Sequence, residues 1–361
     1  MKRKLWTLLL ALGAALALCV GASAADFTGW DKVTNSTTTL ESGRQYYLNN
    51  DVTVSQTITV SGTVTLDLNG YVLKYKSTAN GSVIKVEGGT LTITDSSPNT
   101  PHYFDVDEST GLWTWDSTAA SATAEQETVC GGVITGGTGT LNFPNTTSPV
   151  YNGGGVYVAP GGTLIMESGS IVGCSGSGAI NGGGGVYLGL NSSPTNPTAD
   201  TFTMNGGRII GCTAGLGGGV LVAPGCKFTM NAGAVIRSCT AQMGGGVYNI
   251  GNIGTSDSPG TFTLNGGTVE SSITNSGTIN ADGGTVTGDV TNSGTITGNG
   301  GFTGNSSTTF SGSVTNNGGT LTGFGKFTGS VTNYGGEIIG FCDFKEATLS
   351  GYLTVTFDPD N

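Results

Sequence analysis

Apolar and polar residues take turns along this chain in short runs. Residues 52–60 and 63–68 alternate Val, Ile and Leu with Thr, Ser and Asp, and the alternation resumes at 82–86 and 90–94. A period of two places one set of side chains inward and the other outward, which is the signature of a half-buried β-strand. The runs stop at bends rich in Gly, Asn, Pro and Ser. One of them, Leu66-Asp67-Leu68-Asn69-Gly70, closes on an Asn-Gly turn. The pattern predicts many short strands joined by tight turns, with nothing of helical period.

From residue 129 the alternation acquires a larger repeat. Gly153-Gly154-Gly155-Val156 returns as Gly183-Gly184-Gly185-Val186, Gly217-Gly218-Gly219-Val220 and Gly244-Gly245-Gly246-Val247. The four valines are 30, 34 and 27 residues apart, so the shortest interval reads as a bare unit and the others as that unit with a loop. Within the units stand Thr163-Leu164-Ile165-Met166, Phe202-Thr203-Met204, Phe228-Thr229-Met230 and Phe262-Thr263-Leu264. Three units also carry Ile171 with Cys174, Ile209 with Cys212, and Ile236 with Cys239. Repeats of this length are supersecondary units that bury their apolar faces by stacking, which predicts a solenoid. Each unit should hold three strands, with Ile171, Ile209 and Ile236 in one inward column and Cys174, Cys212 and Cys239 in another.

Two regions depart from this rhythm. Residues 99–128 contain two polar–aromatic runs around Glu108-Ser109-Thr110-Gly111, read as a β-hairpin leaving the solenoid and followed by a return loop. Residues 271–345 shorten the period: Thr274-Asn275, Thr291-Asn292, Thr315-Asn316 and Thr332-Asn333 are 17, 24 and 17 apart, as slimmer turns of the same stack would be. The organisation expected is therefore a leader (1–24), an N-terminal cap (25–50), the first coils (51–98), the inserted hairpin and loop (99–128), the Gly-Gly-Gly-Val coils (129–270), the shorter coils (271–345) and the start of a further β-rich module (346–361).

The order Gly-Gly-Gly-Val-Tyr, Phe-Thr-Met-Asn-Gly-Gly, Ile-x-Gly-Cys-Thr, with 66–70 earlier, resembles the right-handed parallel β-helix (pectin-lyase-like) repeats of bacterial surface and adhesin-like proteins. It covers most of residues 50–340. The resemblance implies an all-β, right-handed parallel β-helix solenoid, to which this chain's own pattern adds an N-terminal cap and a protruding β-hairpin. In such repeats the place taken here by Cys174, Cys212 and Cys239 is commonly Asn, so this chain departs from the pattern with a less polar stack. Residues 355–359 look like the start of the small β-rich repeats that follow in cell-surface proteins.

The first residues read as an export signal: Lys2-Arg3-Lys4, an apolar run to Val20, and a cleavage site at Ala22-Ser23-Ala24. Lipidation at Cys19 is the alternative, but Leu18 stands where a small residue is wanted. The expected location is secreted or cell-surface, and no later segment is long and apolar enough to span a membrane. Loss of the three leader cations takes the formal charge from −11 to −14, which argues against nucleic-acid binding. Glycine, 65 of 361 residues, fits turn-rich β structure without a collagen period.

Candidate chemistry is sparse. Tyr103, Phe104, Trp113 and Trp115 concentrate aromatics in the hairpin and are the candidate ligand-binding residues, since such rings stack on sugars and anchor protein contacts; packing against the solenoid is their structural alternative. Asp105, Asp107 and Glu108 lack the loop that would complete a calcium site. Acids of the repeat region, Glu167, Asp200, Asp257, Glu270, Asp282 and Asp289, are scattered and not paired as hydrolysis of a glycosidic bond requires. The Cys column forms a line where zinc needs convergence, and leaves open a Cys212–Cys239 disulfide or a plain thiol stack. Cys226, aligned with a turn glycine, should be exposed. No catalytic residue, metal or cofactor is expected. The reading is a non-catalytic, exported structural or adhesive protein contacting surface glycans or host and matrix proteins. The alternative is a polysaccharide-binding or polysaccharide-degrading module.

Overall fold

The computed structural model describes residues 25–141, 149–178, 181–189, 199–251, 258–299, 308–317, 320–334, 337–339, 348–351 and 355–356. All regular structure among them is β. Two long parallel sheets, of 20 and 12 strands, account for most of it. The chain visits them in a fixed order. Val156–Val158 lies in the smaller sheet, and Thr163–Met166 and Ser170–Val172 lie in the larger. The next circuit repeats this with Val186–Leu188, Thr201–Met204 and Arg208–Ile210, and the one after with Val220–Val222, Lys227–Met230 and Val235–Arg237. The three strands expected of each unit are present.

Successive circuits pair in register. Ile171 is opposite Ile209 and Ile209 opposite Ile236; Met166, Met204, Met230 and Leu264 form a second file. The three isoleucines and three methionines are wholly buried. Each such side chain contributes roughly 1.5–3 kcal/mol of burial. Phe202, Phe228 and Phe262 stack face to face at 4.8 and 4.9 Å between ring centres. An in-register parallel ladder places like side chains one above another, so a repeating sequence yields continuous core files.

The triple glycine has a structural reason at each position. Its first residue takes a positive φ in every copy: 65° at Gly153, 62° at Gly183, 59° at Gly217 and 61° at Gly244. At the second and third, neighbouring circuits come too close for a side chain. A Cβ on Gly184 would lie 2.6 Å from the Gly218 carbonyl oxygen, and one on Gly155 2.6 Å from the Gly185 carbonyl oxygen.

Within the larger sheet the circuits form two ladders, one containing Thr163–Met166 and the other Ser170–Val172. They merge further along. Thr261–Val269 and Thr278–Val286 are single nine-residue strands serving both ladders, with a register shift around Asn265. The first shorter circuit past residue 271 is therefore one short strand, Ile273–Asn275, and one long one, Thr278–Val286; in the next, the long strand is divided into Thr295–Asn299 and Thr308–Phe310.

The region expected to cap the open end adds strands to the sheets: Asp31–Lys32 pairs in parallel with Gln45–Tyr47, and Thr39–Leu40 with Ile58–Val60. One expectation needs correction. The aromatic hairpin, Pro101–Val106 with Trp113–Asp116, does not leave the stack. It gains a third antiparallel strand, Gln126–Cys130, and lies against the second ladder. Phe104, Trp113 and Val129 bury themselves on Val72, Val133, Val172 and Ile210. The outward residues of those circuits are apolar, and an uncovered apolar face would cost what the core gains. The leader, Cys342, Asp257 and most of 346–361 lie outside the described residues.

Candidate functional site

The four candidate aromatics divide unequally. Phe104 and Trp113 are fully or nearly fully buried at 0% and 3% exposure. Trp115 is half-buried against the same cluster, because Phe104 and Trp115 are register partners and share a face. Lys74 Nζ stands 5.4 Å from the Trp115 ring centre, and the Arg237 guanidinium 5.2 Å from that of Trp113. Only Tyr103 belongs to the opposite, outer face. The inner aromatics thus fasten the small sheet to the stack, and of the four Tyr103 is the ring left on the outer side.

That attachment has a stringent geometry. Trp113 N–H donates to the Gly211 carbonyl at 3.3 Å. A Cβ at Gly211 would stand 2.1 Å from Trp113 Cγ, and one at Gly173 1.8 Å from the Trp113 carbonyl oxygen. Both glycines have positive φ, 58° and 59°. Ser238, the third residue of this file, keeps the left-handed backbone at 54° but carries a side chain.

The buried carboxylates serve the backbone. Asp95 accepts from Gly70 N–H and Gly132 N–H, both at 2.7 Å, through different oxygens; burial raises its pKa. Asp67 accepts from Asn69 N–H at 2.7 Å and Ser96 N–H at 3.0 Å. Asp200 is wholly buried and accepts from Gly161 N–H at 2.6 Å. Burial pushes its pKa up to about 7. Cys226 is buried beside it, correcting the expectation of exposure: its thiol donates to the Gly189 carbonyl at 3.0 Å and lies 3.9 Å from Asp200 Oδ2. The turn 223–226 closes with a Cys226 N–H to Ala223 carbonyl bond and aims the side chain inward. His102 is buried too, with Nε2 2.9 Å from the Gly70 carbonyl oxygen, and burial lowers its pKa. Asp107 closes a turn onto Ser109 and Thr110, which holds its carboxyl down at about 2, and Asp105 accepts from Gln126. A shallow cavity of about 200 Å³ lies between Asp95, Pro98, Cys130, Ser168 and Arg208.

Cys174, Cys212 and Cys239 form the expected file, as thiols. Each reaches the carbonyl two residues back, at 3.6, 3.4 and 3.3 Å, and the carbonyl of an isoleucine in the preceding circuit, at 3.9, 3.8 and 3.7 Å. Burial holds the outer two well above the ordinary thiol range.

A second file was not recognised as a ladder from the sequence. Asn249, Asn275, Asn292, Asn316 and Asn333 are wholly buried. Each side-chain amide donates to the carbonyl of the next, at 2.8, 2.7, 2.8 and 2.8 Å. The signal was the recurrent Thr-Asn pair; its first member, Tyr248-Asn249, was hidden by the change of residue before it. The ladder starts where Val222 is the register partner of Asn249, whose Oδ1 is buried with no hydrogen-bond partner among the described residues. No protein-family model, no curated protein and no solved structure matches this chain.

Proposed function

We propose that this chain is the stiff, non-catalytic body of an exported surface protein, a right-handed parallel β-helix of the pectin-lyase-like, adhesin-like kind. The observation that carries this reading is how the buried polar groups are used. Asp67, Asp95 and Asp200 accept backbone amides, the thiols point at carbonyls, and the asparagines bond one another. These groups hold circuits together. Right-handed crossover is the expected sense, since parallel strands in one sheet are joined that way almost without exception. Contact with glycans, host or matrix proteins would fall to the loops and to the outer face that carries Tyr103. A polysaccharide-binding or polysaccharide-degrading module is the competing reading, and the cavity between Asp95 and Arg208 is where it would act.

Beads coated with the protein test this directly on glycan arrays, mucin and matrix proteins, alongside assays for new reducing or unsaturated sugar ends. Adhesion without cleavage is the expected result. Cleavage of any polysaccharide that disappears in Asp95→Asn would overturn the reading in favour of an enzyme.

A further inference from the structure

One outward face of the larger sheet, which no described strand covers, has an unusual composition. In the ladder containing Thr163–Met166, the outward positions fall into two parallel files. The first reads Thr63, Thr90, Thr163, Thr201, Lys227, Thr261, Thr278, Thr295, each in register with the next. The second reads Thr65, Thr92, Ile165, Thr203, Thr229, Thr263, Asn280, Thr297 over the same eight circuits. Thirteen of these sixteen residues are threonine, one is charged, and none is buried. The neighbouring ladder of the same sheet shows the contrast, since its outward Val72, Val133, Val172 and Ile210 lie beneath the antiparallel sheet.

β-propensity alone explains threonine at single outward positions. It does not specify a partner, but the spacing does. Adjacent parallel strands are about 4.8 Å apart and alternate residues of a strand about 6.6 Å apart, so the hydroxyls and methyls form a nearly rectangular net. The β-branched side chain has restricted χ1, which keeps that net ordered. Thr201 Oγ1 donates to Thr163 Oγ1 at 3.0 Å, in line with the file. A partner for such a face must be uncharged, able both to donate and to accept hydrogen bonds, and periodic in two dimensions. Water oxygens at the surface of hexagonal ice lie on a rectangular net of closely similar dimensions. A crystalline polysaccharide would want aromatic platforms for its sugar faces, and the sixteen positions hold none.

We propose that the two-file threonine face binds ice. Each circuit contributes a weak contact through ordered water, and a lattice ligand engages all circuits together, so affinity comes from repetition.

The test is incorporation of the full chain into a slowly growing ice surface, with inhibition of ice recrystallisation as a second readout. Wild type should enter the ice and keep crystals small. Thr203→Tyr combined with Thr263→Tyr, both outward and central, should lose both properties while keeping the wild-type circular-dichroism spectrum and melting temperature. Thr229→Lys serves if the double variant does not fold. Thr291→Tyr, on the outward side of the smaller sheet, should behave as wild type. Exclusion of the wild type from ice overturns the proposal. So does undiminished incorporation of a folded Thr203→Tyr/Thr263→Tyr or Thr229→Lys variant, or retention on crystalline cellulose with none on ice.

Discussion

Two halves of this molecule solve the same problem with different chemistry. In the circuits around 170–240, a file of thiols, Cys174, Cys212 and Cys239, fills the bend after the second ladder; each reaches backbone carbonyls, and Cys212 lies within reach of the sulfurs on either side. In the circuits from 247 onward, a file of asparagines in the smaller sheet is joined donor to acceptor over five members. The thiol file fills the core with weakly polar groups, and carbonyl oxygens accept from its members. The amide file is a chain, in which each member satisfies its neighbours. Carboxylates and imidazole divide the same way: the buried Asp67, Asp95, His102 and Asp200 all belong to the first half, whereas the buried polar residues described beyond residue 240 are Asn, Ser and Thr. The lesson is that a repeating core tolerates either solution, but their failures should differ.

The largest expected effect is confined to the thiol half. Gly211→Ala places a Cβ inside the Trp113 ring at a backbone position of positive φ. Losing the Trp113 contact should cost about 3–5 kcal/mol, as truncating a buried tryptophan does. Intrinsic fluorescence should shift to the red, and protection from hydrogen exchange should fall over 101–130 while 273–292 is untouched.

A matched pair addresses the two files directly. Asn292→Ala removes the acceptor of Asn275 and the donor to Asn316 inside a dry core, and should cost about 3 kcal/mol. Cys212→Ala removes one sulfur and leaves no stranded donor, and should cost about 1 kcal/mol. Chemical denaturation of the two variants measures the difference; equal costs would mean that the amide chain is no more cooperative than the thiol file.

Acidity should distinguish the halves as well. The folded state raises the pKa of Asp200 to about 7, above the unfolded value near 4, so it binds that proton more tightly than the unfolded chain. The group is therefore harmless at low pH and progressively opposes folding as pH climbs from about 4 to 7. Asp95, also raised, acts in the same direction. His102, lowered, acts in the opposite one, its contribution being lost as pH falls below about 6.5. Hydrogen exchange of residues 156–166 should accelerate between pH 4 and 7 beyond the intrinsic rate change. Asp200→Asn should remove most of that acceleration, and residues 273–292 should show none.

The smallest effect is expected at the junction. Val222→Asn would extend the amide file by one, donating to the orphaned Asn249 Oδ1 and passing the unpartnered carbonyl up one circuit. The orphan moves but is not removed, so stability should change by less than about 1 kcal/mol.

Much of the stack was legible from the chain alone. The period-two runs gave the strands, and the Gly-Gly-Gly-Val phrase gave the register that aligns Ile171, Ile209 and Ile236. Both follow from local rules, because side-chain direction alternates along a strand and an in-register parallel ladder repeats whatever the sequence repeats. The Asn file was half visible, as Thr-Asn spacing, but its hydrogen bonds join residues 17 to 26 positions apart and exist only when circuits are superposed. Burial of Asp200 and Cys226 was invisible, since a turn glycine and a turn cysteine look alike until the turn is seen to aim one inward. The aromatic strands were recognisable as a hairpin, yet whether Phe104 and Trp113 face a ligand or a core depended on Val72, Val133, Val172 and Ile210 being bare until covered. Sequence determined what each circuit is made of. The tertiary structure decided which of its outward faces is covered and which is left to water, because that depends on side chains from distant parts of the chain meeting across a surface that no local pattern describes.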